Sequence, residues 1–124
     1  MFGLSKEKKL ETPLGSAVVR TGFVEVLSWR YRGVLIEVAW PENSPCPTDQ
    51  FFDIRGDFDR LLQVALTFLG VDDFPPELRT IVPERIEFGT ADDWSLTFHC
   101  PEWPDAWWTV TFKHGKPNRM HHGD

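Results

Sequence analysis

The chain has 124 residues, of which 41% are hydrophobic and 14% aromatic, and its formal net charge is −6. This length suits a single domain over residues 1–124, and the apolar content supports a core rather than general disorder. The acidic balance, with no basic stripe, argues against a nucleic-acid binder that works by neutralising phosphates.

No apolar run approaches the length of a membrane span, so we expect no membrane partner. Residues 1–9, MFGLSKEKK, have no signal-peptide core and are predicted to form a short charged arm. The two cysteines, Cys46 and Cys100, form no CxxC motif. We therefore expect reduced thiols in a cytoplasmic protein.

Three strands are predicted before the helix, after an entry and turn over residues 10–15. The second strand is rich in aromatic and β-branched residues, and the Arg32-Gly33 turn signal between the second and third strands indicates a hairpin. The three strands cover residues 16–20, 23–31 and 34–40. A proline-rich loop over residues 41–47 follows, because three prolines in seven residues cannot continue a strand.

Residues 57–70, DFDRLLQVALTFLG, carry the one long helical period of the chain. Apolar residues recur there at spacings of three and four, and they are Phe58, Leu61, Leu62, Ala65, Phe68 and Leu69. Asp57 and Asp59 suit the positive end of the helix dipole, and Gly70 suits a left-handed cap. A helix this short is marginal alone, so we expect it to pack on a sheet.

The second half of the chain is predicted as loop and then strands. Residues 71–83 contain three prolines and are predicted as loop with one helical turn near residues 77–80. The predicted strands cover residues 85–88, 94–100, 107–113 and, as a final edge strand, 118–122. The stretch PEWPD over residues 101–105 is predicted as a turn.

This order predicts an α+β domain. We expect a mainly antiparallel sheet of six to seven strands, with one central helix packed on one face. A β-roll or barrel with the helix as a plug is the alternative.

No catalytic, metal or cofactor motif is present. The chain lacks GxSxG, a P-loop, GxGxxG and HExxH. Asp53, Asp57 and Asp59 are predicted to mark a helix N-terminus rather than an acid–base or metal group. His121 and His122 are neighbours, which diverge on a strand. We therefore expect no enzyme activity, no catalytic residue, no metal site and no cofactor.

The six tryptophans are the most unusual feature of the composition. Trp40, Trp94 and Trp108 are predicted to face the helix as core. Trp107 falls on the opposite face from Trp108 if its strand is regular, and Trp103 lies in a turn between prolines. Exposed tryptophan amid polar residues is typical of protein-recognition surfaces. An ordinary solvated sheet face with a partly buried Trp107 is the alternative.

Strand alternation places further polar residues on the same face as Trp107. They include Thr97, Thr109 and Thr111, with Arg85 as a further candidate. The predicted partner-binding residues are Glu37, Glu87, His99, Trp103 and Trp107.

Two local patterns carry a resemblance. One is TPLG leading into long strands that end in VLIEVAW, and the other is the strand and glycine turn of WWTVTFKHGKP. Together they resemble small bacterial α+β domains that occur as uncharacterised proteins and as immunity proteins of polymorphic toxin systems. The resemblance covers most of the chain in layout. It implies a cytoplasmic protein that blocks a toxin by stoichiometric contact, and it carries over no catalytic residue.

Two functions are therefore predicted. The first is a non-enzymatic protein-binding module, in the form of an immunity protein whose partner is a basic toxin or effector; a homo-oligomer is left open. The second is a small-molecule-binding protein or small enzyme. Its tryptophan-lined cleft would lie between loop 41–47 and the Trp103 turn, and would use His99 or Glu37.

Overall fold

Eight strands form one sheet in the part of the chain that the structure, a computed structural model, describes: residues 8–89 and 93–123. They lie side by side in chain order, and every adjacent pair is antiparallel except β4 and β5. The strands are β1 Lys8–Thr12, β2 Gly15–Arg20, β3 Phe23–Tyr31, β4 Val34–Pro41, β5 Val82–Phe88, β6 Trp94–Cys100, β7 Trp103–Lys113 and β8 Lys116–Gly123.

Two helices connect β4 to β5. They are α1 Thr48–Gly56 and α2 Phe58–Leu69, followed by short 3-10 turns at Val71–Asp73 and Pro76–Leu78. A parallel pair of strands needs a long crossover connection of this kind. The α+β class and the mainly antiparallel sheet are thus confirmed. The element count was wrong, because the described residues form eight strands rather than six to seven, and two α-helices rather than one.

The predicted helix over residues 57–70 corresponds to α2. Gly70 ends it in the left-handed conformation, with φ 72°, and its N–H donates to the carbonyl of Thr67. The sequence missed α1 because only Phe51 and Ile54 of that helix are buried, which leaves a weak apolar stripe. Asp53 was predicted at a helix N-terminus, but it lies inside α1, which begins at Thr48.

Strand boundaries differ from the predictions at several places, among them β8, which covers Lys116–Gly123 rather than residues 118–122. The entry predicted over residues 10–15 is largely β1 and its turn into β2. Residues 1–7 of the predicted arm lie outside the described residues, while Lys8 and Lys9 belong to β1. The turn predicted over residues 101–105 is mostly the start of β7, and β5 begins at Val82. A register shift accompanies the prolines of β5 and β7, as expected for proline within a sheet.

The helices cover one face of the sheet and form the core with it. Side chains exposed by 2% or less come from β3 to β7 and from α2, among them Val26, Ile36, Phe58, Ile86, Phe88, Leu96, Phe98, Val110 and Phe112. Trp40 and Trp94 are buried as predicted, and Trp108 is half-buried, stacked on Phe74 at 5.5 Å between ring centroids. Phe68 is 38% exposed, so it does not belong to the buried stripe of α2.

Strands β1 and β8 are the two edges, and they do not pair with each other, so the sheet is open rather than a barrel. No helix in the described ranges is long and apolar enough to cross a membrane.

Candidate functional site

The sheet face opposite the helices, here called the open face, carries an ion cluster centred on Arg85. Its Nη1 lies 2.8 Å from Oε2 of Glu25 and also contacts the Glu37 carboxylate. Its Nε and Nη2 lie 3.2 and 2.9 Å from Oε1 of Glu87. One guanidinium therefore joins carboxylates from β3, β4 and β5.

The strand register explains why these side chains meet. Glu37 pairs with Arg85, while Ala39 pairs with Glu25 on one side and with Glu87 on the other. The guanidinium that joins Glu25 to Glu87 thus passes over Ala39, which is 0% exposed although it lies on the open face. A small residue at position 39 leaves room for the cluster.

The cluster is shielded from water. The side chains of Glu25, Glu37 and Arg85 are 12%, 21% and 23% exposed, whereas Glu87 is 39% exposed. Burial by itself would lower the pKa of the Arg85 guanidinium. Hydrogen bonds to Glu25 and Glu87, together with the charges of Glu37 and Glu87, nevertheless raise that pKa above its usual value.

The carboxylates outnumber the cations in this cluster. Arg20 adds a second guanidinium, with Nη1 3.6 Å from Oε1 of Glu25. Three carboxylates then face two guanidiniums, and the cluster keeps an excess of negative charge. Beside it, strands β1 to β4 form a concavity of ≈ 430 Å³. Its lining includes Lys9, Glu11, Ser16, Arg20, Glu25 and Leu27.

A second group on the open face lies on β6 and β7. His99 pairs with Trp107 in the register, and its Nδ1 lies 3.2 Å from Oε2 of Glu84. This Nδ1 is buried and within ion-pair distance of Glu84, but it makes no hydrogen bond with any described residue. His99, Trp107 and Glu84 line a depression of ≈ 350 Å³.

Trp107 is held against the end of β8. Trp107 pairs with Gly123 of β8 in the register. The indole occupies the space that a side chain at position 123 would need, since a Cβ added to Gly123 would lie 2.4 Å from Cε2 and Cζ2 of the ring. Trp107 remains 41% exposed. Its indole is therefore both positioned and accessible.

The five predicted partner-binding residues separate into three places. Glu37 and Glu87 contact Arg85, while His99 and Trp107 lie together on β6 and β7. The bonded pair Thr97 and Thr109, with Oγ1 atoms 2.9 Å apart, lies on the same face between these groups.

Trp103 lies elsewhere. It pairs with the buried Cys100, so it belongs to the helix-covered side of the sheet, where it is 54% exposed. The register shift between His99 and Cys100 causes this change of side.

Sequence reasoning missed Glu25, Glu84 and the central position of Arg85. Glu25 lies between Val24 and Val26, both buried, so strand alternation alone indicates that it faces the other way. Glu84 carried no such signal, because it falls at the register shift of β5.

Two separate depressions take the place of the cleft predicted between loop 41–47 and the Trp103 turn. The one near the turn is the depression lined by His99 and Trp107 that is described above. The one beside the loop, of ≈ 320 Å³, is lined by Trp40, Cys46 and Phe88 among others, and by neither His99 nor Glu37. Cys46 and Cys100 are free thiols. No group of three His, Cys, Asp or Glu side chains within residues 8–89 and 93–123 is arranged to hold a metal ion.

Comparison with family models, curated proteins and solved structures finds no match to this chain.

Proposed function

We propose that the protein is a non-enzymatic protein-binding module whose open face binds a basic protein. The Arg85 cluster carries this proposal. Its three carboxylates hold an excess of negative charge in fixed positions on a face that no described helix covers. Side chains that are already ordered lose little further entropy on binding, which favours their use in recognition.

Trp107 supplies an aromatic anchor on the same face, separated from these charges by the Thr97–Thr109 pair. It is exposed, it is held in place against Gly123, and it shares the open face with His99 and the Thr97–Thr109 pair. Aromatic residues dominate binding energy at protein interfaces, and surrounding polar residues supply complementarity. An acidic cluster and an accessible tryptophan on one face fit a basic surface that also carries an apolar recess.

We favour an immunity protein as the specific form of this function. The net charge of −6 suits long-range attraction to a basic toxin or effector, which speeds association. Blocking a toxin by contact needs a stable surface and no catalytic group. The resemblance of the chain's layout to immunity proteins supports the same choice.

The test begins with capture of the tagged protein from its own organism and identification of the bound partner. Purified partner is then titrated with the protein at low and at high salt. We expect a one-to-one complex that weakens as salt increases, and growth rescue when the protein is co-expressed with that partner.

Matched variants locate the surface. Trp107→Ala and Glu87→Lys should weaken the complex, whereas Trp103→Ala on the covered side and Glu42→Lys in the exposed loop should not. Circular dichroism confirms that each variant is folded. A complex that is indifferent to Trp107→Ala and Glu87→Lys, or a partner that binds without salt dependence, contradicts the proposal.

A further inference from the structure

Strand β8 offers a second, separate surface at the edge of the sheet. Among the described residues its one strand neighbour is β7. An edge strand leaves outward backbone N–H and C=O groups without a ladder partner, which makes it a template for another strand. Pro117 and the register shift beside it close the first part of β8 to pairing. Residues 119–123 contain neither obstacle.

Apolar surface continues from the core to this edge. Helix α2 lies against β7 and β8, where Val64, Phe68 and Pro117 line a concavity of ≈ 410 Å³. Met120 is 50% exposed and pairs with the buried Val110, so it lies on the helix-covered side of the sheet. An added strand could therefore place alternate side chains against Phe68 and Met120.

The same edge is locally basic in an acidic chain. Residues 113–122, here called the cationic edge, hold three of the 13 Lys and Arg residues, three of the four histidines and no Asp or Glu. Arg119 pairs with Thr111 and His121 with Thr109, so both lie on the open-face side of β8. Arg60, at the rim of the apolar concavity, is already paired with Asp57 at 2.6 Å and adds little charge.

We propose that residues 119–123 bind an extended acidic peptide segment as a ninth strand. The peptide backbone pairs with the outer edge of β8. Its apolar side chains lie against Phe68 and Met120, and its carboxylates, on the other side, face Arg119 and His121. Strand addition of this kind combines backbone hydrogen bonds for affinity with alternate side-chain pockets for specificity.

A second copy of the chain fits this edge less well. Pairing β8 with β8 would bring two cationic edges together, and like charges across a strand pair are destabilising. The surface is also distinct from the Arg85 cluster, whose charge has the opposite sign. Gly123 of β8 contacts Trp107 of the open face, so the two proposals are distinguished by Glu87→Lys, which should affect only the proposed function, and by Phe68→Ala, which should affect only the β8 edge.

The probe is a short synthetic peptide of alternating glutamate and valine, titrated into the isotope-labelled protein and followed by NMR. We expect amide shifts concentrated at residues 119–123 and at Phe68. Three control peptides separate the contributions: one of alternating lysine and valine, one with the glutamates and valines in blocks, and one N-methylated at two consecutive central residues, which blocks both edges of the peptide strand. Each should bind at least about tenfold more weakly.

Protein variants supply matched controls. Phe68→Ala should weaken binding about tenfold, whereas Phe52→Ala, at a similarly exposed phenylalanine of α1, should leave it unchanged. Arg119→Glu should weaken binding to a similar degree, and Lys8→Glu on the opposite edge strand should not.

Several outcomes would overturn the proposal. They are the absence of binding at millimolar peptide, shifts that map to the Arg85 cluster, equal binding of the lysine peptide, and indifference to N-methylation or to Phe68→Ala. Sedimentation that shows a dimer abolished by Phe68→Ala would assign this edge to a second copy instead.

Discussion

The two faces of the sheet are ordered by different forces. On the covered face, side chains from the sheet and both helices pack into one apolar core in which Phe98 and Phe112 are 0% exposed. On the open face, the side chains of Glu25, Glu37 and Arg85 are only 12% to 23% exposed, yet they are charged and are held by one another. The stability of the covered face depends on a filled core, and the stability of the open face depends on the balance of its charges. Substitutions should therefore affect them by different mechanisms, and solution conditions should separate them.

The largest effect is expected on the covered face, and one helix supplies both test and control. Phe58 and Phe68 both belong to α2 but are 2% and 38% exposed. Phe58→Ala should lower the free energy of unfolding by about 3–5 kcal/mol, since it removes a buried aromatic ring and leaves a cavity. Phe68→Ala should cost less than about 1.5 kcal/mol.

Urea denaturation measures both variants of this pair. Equal costs at the two positions would mean that α2 is seated differently on the sheet. A stable Phe58→Ala variant would show that the aromatic contacts of Phe58 with Trp29 and Tyr31 contribute little to stability.

The next effect belongs to the open face. Arg85→Met leaves Glu25, Glu37 and Glu87 close together without the cation that they share. Removing one partner of a buried ion pair costs about 3–5 kcal/mol, and partial exposure of this cluster reduces the expected cost to roughly 2–3 kcal/mol at neutral pH. Arg30→Met, at an exposed arginine of β3, should cost less than about 0.5 kcal/mol.

Acid distinguishes this mechanism from lost packing. Protonation of the carboxylates relieves their repulsion in the Arg85→Met variant, so its folded state takes up protons more readily than its unfolded state. The deficit relative to the original protein should therefore shrink as the pH falls toward about 4.3, the usual glutamate range. A deficit that is constant from neutral to acid pH would contradict the charge argument.

The sequence predicted the covered face well and the connections less well. Apolar periodicity located α2, and strand alternation placed Trp40 and Trp94 in the core, because burial on one face imposes a visible pattern. Helix α1 and strand β1 leave little such pattern. Helix α1 buries only two side chains, and most of β1 is exposed at the edge of the sheet.

The open face was predicted only residue by residue. Alternation indicated that Glu37, Glu87, His99 and Trp107 share one face, but not which of them meet. Contact between Arg85 and Glu25 depends on the parallel register of β4 and β5, which pairs residues far apart in the sequence. Register shifts determine the positions of Trp103 and Glu84 in the same way, and no local sequence pattern predicts these shifts.

A smaller effect is expected where the indole of Trp107 packs against Gly123. In Gly123→Ala the new methyl group meets the indole, so the ring must move away from β8. We expect a changed indole N–H resonance of Trp107 and a stability loss of about 1 kcal/mol. Gly56→Ala is the control, since apart from its chain neighbours and the backbone of its own helix no described atom lies within 4 Å of the added Cβ. An unchanged Trp107 resonance would mean that the indole is not held against Gly123.

The smallest effect is expected at the margin of the two faces, where Tyr31 at the end of β3 donates a hydrogen bond to the exposed Asp59 of α2. Burial, and then this bond, raise the pKa of Tyr31 above its usual value. Tyr31→Phe should cost only about 0.5 kcal/mol at neutral pH, because the bond is open to water.

Alkaline pH provides the sharper measurement at Tyr31. A raised folded pKa means that the neutral phenol contributes stability in full below pH of about 10, and that this contribution is lost as the pH rises through the folded value. Urea midpoints of the original protein should therefore fall more steeply above that pH than those of Tyr31→Phe. Asp59→Asn keeps a hydrogen-bond acceptor but removes the charge. Its urea midpoints should fall with a steepness between those of the original protein and Tyr31→Phe. Parallel declines in the original protein and Tyr31→Phe would show that the contact between β3 and α2 does not depend on the Tyr31 proton.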